Sequence, residues 1–101
     1  TFVILHKMNK EILSILKQNK AHLFSKYPLL SMAVFGSNSR KDATDKSDVD
    51  ILVEINGVMG FEFLHLNYEI EDLLKRKVDL ISRRGLKQAF IQQIEPELMY
   101  V

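Results

Sequence analysis

Between residues 7 and 26 the apolar positions Met8, Ile12, Ile15, Leu16, Leu23 and Phe24 recur at spacings of three, four and seven, which predicts a helix with one buried stripe. Tyr27 precedes Pro28, and a residue before proline is pushed out of the helical region, so the helix ends there. The run "LLSMAVF" predicts a strand closed by Gly36, and Ser37 stands where an N-cap would, opening a short helix over residues 38–41. "DVDILVEI", residues 48–55, predicts a second strand, and "NGVMG" a turn. Phe63, Leu66, Ile70, Leu73 and Leu74 predict another amphipathic helix reaching Lys77, with Glu69, Glu71 and Asp72 on its wet side. "VDLIS" predicts a third strand, and "RRGLKQAFIQQIEPEL" a last helix carrying Leu86, Phe90, Ile91 and Ile94 and broken near Pro96. The resulting order is helix, strand, short helix, strand, helix, strand, helix. It predicts an α/β (α+β) fold, a small three-stranded mixed sheet flanked by helices.

Composition narrows the setting. A chain of 101 residues with 47% hydrophobic side chains suffices for one core and one domain, residues 1–101. Fourteen Lys and Arg against thirteen Asp and Glu leave a net charge of +1, so direct nucleic-acid binding is not expected. "KRK" at 75–77 and "RR" at 83–84 read as charges favouring a helix C-terminus and a loop. The absence of cysteine excludes disulfides and thiolate chemistry and fits a reducing compartment, so the cytoplasm is the expected location. No apolar run approaches the roughly 18 residues of a membrane span, and no membrane association is expected.

The chemistry concentrates in "FGSNSRKDATDKSDVDIL", residues 35–52. Asp is depleted in strands, yet Asp48 and Asp50 open one. Side chains alternate along a strand, so these two share a face with Cα atoms about 6.5 Å apart. Two like charges about 6 Å apart repel by roughly 3 kcal/mol at an effective dielectric near 20, and a divalent cation reverses that sign. Asp79 interrupts the third strand in the same way. Three carboxylates suit a hard cation such as Mg²⁺, completed by substrate phosphates. His6, His22 and His65 show no ligand spacing for zinc. Gly36 and Ser37, at a strand-to-helix turn, suit a phosphate, and Arg40 follows one turn later. Each part has a plainer use, Ser37 as a cap, Asp79 as an edge residue, Arg40 as a solvated charge. Asp42 and Asp45 read as loop solvation and Glu54 as structural.

Gly36-Ser37, ten intervening residues and Asp48-Val49-Asp50 resemble the signature of the DNA polymerase beta-like nucleotidyltransferase superfamily, and within it the minimal nucleotidyltransferases, or MNT proteins. "LKRKVDLIS" resembles the strand carrying that family's third carboxylate, which falls on Asp79, and "LKQAFIQQIEPELMYV" resembles the ending of MNT antitoxins paired with HEPN toxins. The resemblance implies a nucleotidyltransferase fold, with Asp48, Asp50 and Asp79 as catalytic residues holding two Mg²⁺ ions. It also implies nucleotide binding by Gly36, Ser37, Arg40 and Ser47. The implied reaction is transfer of AMP from ATP to a tyrosine hydroxyl of a HEPN-type toxin, which silences it. Two other readings stay open: transfer to a small molecule, and an antitoxin that neutralises its partner by binding alone.

Overall fold

The structure, a computed structural model, describes residues 2–35 and 48–101, with side chains from residue 10 onward. The expected short helix over residues 38–41, and the candidate site residues Gly36, Ser37, Arg40 and Ser47, lie outside the described residues.

The chain begins with α1 (Phe2–Gln18) and α2 (Lys20–Lys26), where one continuous helix is predicted. The interruption is at Asn19, whose side-chain amide donates to the Ile15 carbonyl at 2.8 Å while its backbone N–H is shared between the Ile15 and Leu16 carbonyls. Leu16 and Leu23 are both fully buried on either side of it. Their separation of seven keeps both on one face, which is why the periodicity runs through the break unseen. As expected, Tyr27 ends α2 in an extended conformation before Pro28.

Strands β1 (Leu29–Phe35), β2 (Val49–Ile55), β3 (Val78–Ser82) and β4 (Met99–Tyr100) form, among the described residues, one sheet in the order β3-β2-β1-β4. β1 pairs antiparallel with β2 and with β4, while β2 and β3 are parallel, joined through α3 (Phe61–Leu74). The sheet is mixed, as predicted, but has a fourth strand. Met99 and Tyr100 follow Pro96 in extended form and pair with Val34 and Ala33. A strand of two residues is too short to show a period of two. The final predicted helix resolves into a 3-10 turn at Arg83–Gly85, the short α4 (Gln88–Ile94) and a second 3-10 turn at Glu95–Glu97 that contains Pro96.

The two faces of the sheet are used differently. Met32, Val34, Val49, Ile51, Val53, Val78 and Leu80 turn toward Ile12 and Leu16 of α1, Leu23 of α2, and Leu66, Ile70 and Leu74 of α3, forming the main core. The intervening residues Phe35 and Leu52 join Ile94 of α4 in a smaller cluster, with Ile81, Leu86 and Leu98 against it. By alternation, Asp50 shares the face of Leu52, and Asp79 the face of Ile81. The acids therefore sit on the side that, among the described residues, carries the smaller cluster.

Candidate active site

The register brings together two of the three predicted carboxylates. Phe35, the last described residue before the Gly36-Ser37 pair, is the partner of Asp50 across the antiparallel ladder, and Asp50 is the partner of Asp79 across the parallel one. Neighbouring strands lie about 4.8 Å apart, so Asp50 and Asp79 stand side by side on one face. Asp48, just before β2, is exposed, as is Asp79 on the edge strand. Asp50 is only 5% exposed and is the buried charged residue of the described chain. A buried carboxylate beside a second carboxylate concentrates negative charge, an arrangement that suits a site meeting a cation.

The donor set fits Mg²⁺ in type, since it is oxygen only. Among the described residues, no three His, Asp or Glu side chains stand close enough to cage an ion by themselves. Asp50 and Asp79 are thus neighbours in the ladder, with Asp48 two residues before Asp50, and not a preformed cage. This suits an ion that keeps several waters and takes its remaining oxygens from substrate phosphates.

A second polar cluster was not foreseen. Glu69, predicted on the wet side of α3, accepts from the Tyr27 hydroxyl at 2.8 Å and from Lys26 Nζ at 2.9 Å, with His22 Nε2 at 2.9 Å from its other oxygen. The Lys26 hydrogen bond, opposed by burial and aided by Tyr27 and His22, holds the Glu69 carboxyl below its ordinary value. Burial, then the hydrogen bond to Glu69, raises the Tyr27 hydroxyl. The cluster ties α2 to α3 and leaves His22 engaged far from the acids. Glu71, also placed on the wet side, accepts the Val78 N–H at 2.9 Å and so fixes the start of β3, one residue before Asp79. No local pattern announces either contact, because their partners are 42 and 7 residues away.

Adjacent acids on parallel strands, beside the end of a strand that leads in sequence into Gly-Ser, are oxygen donors of the type that suits a hard cation. The chain belongs to the nucleotidyltransferase domain family, whose profile matches residues 9–101, and it is a nucleotidyltransferase. It is 41% identical over 97 residues to the candidate protein adenylyltransferase MJ0128 of Methanocaldococcus jannaschii, covering 94% of this chain and 99% of the relative. It is 36% identical over 93 residues to the protein adenylyltransferase MntA of Thermococcus cleftensis, covering 91% and 94%. A solved structure described as a candidate minimal nucleotidyltransferase superposes with a TM-score of 0.68 at 27% identity, covering 94% of this chain and 93% of that one. The fold is shared also with a chain from the complex of tri-AMPylated Shewanella oneidensis HEPN toxin with MNT antitoxin, at a TM-score of 0.57, 21% identity, and 95% and 70% coverage.

Proposed function

We propose that this nucleotidyltransferase transfers AMP from ATP to a tyrosine hydroxyl of a HEPN-type toxin and thereby silences it. The observation that carries the reading is the pairing of buried Asp50 with exposed Asp79 across parallel strands. One carboxylate is fixed in the sheet, and its neighbour is open to an incoming acceptor. The relatives' naming as protein adenylyltransferases, and the AMPylated toxin in one structural neighbour's complex, support the choice of acceptor.

In the reaction the acceptor oxygen bonds to the α-phosphorus of ATP, the bond from that phosphorus to the bridging oxygen breaks, and pyrophosphate leaves. Asp48, Asp50 and Asp79 would hold two Mg²⁺ ions, which when bound clamp the attacking and leaving oxygens and offset the charge on pyrophosphate. Asp79 orients the acceptor hydroxyl and helps take its proton. Gly36 and Ser37 hold the β and γ phosphates through backbone N–H groups and the serine hydroxyl, and Arg40 and Ser47 complete nucleotide binding.

The test is to incubate the protein, or its Asp50→Asn variant, with Mg²⁺, ATP labelled at the α-phosphate and the product of the neighbouring gene as the candidate HEPN protein. Label on the HEPN protein that falls about 100-fold or more in the variant supports the reading. Absence of label in the presence of a silenced, bound partner would replace it with neutralisation by binding alone. Label in a soluble product would replace it with a small-molecule acceptor.

A further inference from the structure

Asp79 has two neighbourhoods. It stands beside Asp50 in the ladder, and it also lines a groove of about 620 Å³ formed with Gly60, Phe61, Phe63, Leu64, Asn67 and Leu80. Phe61 is 85% and Leu64 47% exposed, so this wall of α3 presents apolar surface that the chain's own core does not use. The opposite wall is the sheet edge. Val49 N–H bonds to the Lys77 carbonyl at 2.9 Å. In a parallel ladder the bonded residues alternate, so residues 77, 79 and 81 turn their amides toward β2 and residues 78, 80 and 82 turn theirs outward. Glu71 covers the outward N–H of Val78. Among the described residues, the outward N–H and carbonyl of Leu80, within the groove, face no other strand of the sheet.

We propose that this groove is where the acceptor segment of the partner protein docks, an inference that rests on the protein-AMPylation reading above. An extended segment lies along β3 and exchanges backbone hydrogen bonds with Leu80. Its successive side chains alternate, one packing on Phe61 and Leu64 of α3 and the next, which carries the acceptor hydroxyl, turning to the opposite face toward Asp79, one ladder step from Asp50. Strand addition of this kind takes affinity from the backbone and specificity from the side-chain pocket. Charge supports a basic partner segment: the groove lining carries one acid, Asp79, and neither Lys nor Arg, and Glu62, next to Phe61, is exposed. The basic residues next in sequence are those at 75–77 beyond the end of α3, then Arg83 and Arg84, and the Arg84 guanidinium donates to the Gly57 carbonyl at 2.9 Å. Phe61 and Leu64 act as acceptor-binding residues with no part in holding ATP.

The test compares the intact wild-type protein with Phe61→Ser and Leu64→Ser in transfer of labelled AMP to the product of the neighbouring gene. Leu30→Ser is the control, since Leu30 is 58% exposed and is not among the residues lining the groove. The two groove variants are expected to raise KM for the partner about tenfold or more, with KM for ATP unchanged and Leu30→Ser like wild type. Circular dichroism confirms that both fold, as exposed positions should. Unchanged KM for a partner that the wild type does label overturns the inference alone. No label with the wild type overturns the AMPylation reading and the inference together. Variants that convert a dimer to a monomer in light scattering, with KM for the partner unchanged, show a self-association face and also overturn it.

Discussion

Replacing Glu69 by alanine removes the acceptor that joins α2 to α3. The Tyr27 hydroxyl is the partner that matters, because Tyr27 is only 6% exposed and its hydroxyl donates to Glu69 at 2.8 Å. A hydrogen bond to a charged group contributes about 1.5–3 kcal/mol, and the 23% exposure of the Glu69 side chain places this one toward the lower end, about 1.5–2 kcal/mol. Lys26 and His22 are more than half exposed and are given no separate contribution. For a domain of this size the expected loss is roughly 6–16 °C in Tm.

The pH dependence is a sharper check. The folded Glu69 carboxyl lies below its ordinary value of 4.5, chiefly through Lys26, so the folded state favours its ionised form. A carboxyl lowered in this way contributes fully above its unfolded value and loses that contribution as pH falls through the folded one. The gap in Tm between wild type and Glu69→Ala should therefore be wide near about pH 7 and narrow in acid below the ordinary carboxylate range. Thermal unfolding followed by circular dichroism across that range, with Tyr27→Phe and the double variant alongside, measures both the gap and the coupling. A loss under about 2 °C, or a gap that does not narrow in acid, refutes the argument.

Two further substitutions separate core from turn. Leu66→Ala, at a fully buried position between α3 and the sheet, should cost about 2–5 kcal/mol in urea unfolding. That is a large part of a small domain's stability, and a cost below about 1 kcal/mol would contradict the core as described. Gly57→Ala should cost about 1 kcal/mol, because Gly57 has φ +94° although nothing lies within 4 Å of an added Cβ. Transfer activity of the folded variant should be unchanged.

The elements most faithfully written in the sequence were those whose own residues decide them. Val78–Ser82 was predicted residue for residue, because an apolar run bounded by "KRK" and "RRG" leaves little choice. β2 begins one residue later than predicted, and α3 begins at Phe61. Asp50 and Asp79 stood out because a carboxylate in an apolar strand conflicts with local propensity, and such conflicts concentrate at functional positions. The apolar groove was half legible. Phe61 and Leu64 stand three apart on α3 beside the buried stripe, but the edge position of β3 is what gives that pair a neighbour. The cluster at Glu69 had no such signature, since an acid on the rim of a helix looks the same whether it meets water or a tyrosine 42 residues away.

The division of the sheet explains how a chain of this length accommodates a buried acid. Asp50 and Asp79 share a face on which, among the described residues, the buried cluster is the small one of Phe35, Leu52 and Ile94. The opposite face carries Leu16, Leu23, Ile51, Val53, Leu66 and Ile70 at or near zero exposure, and it holds β2 and β3 in register whatever happens to the acids. The strand that positions Asp50 is thus anchored by Val49, Ile51 and Val53, its alternate residues, pointing the other way. Stability and chemistry are assigned to opposite sides of the same backbone. Changes at the acids should therefore alter catalysis without dissolving the fold, whereas loss of a core residue such as Ile51 would displace Asp50 along with the strand.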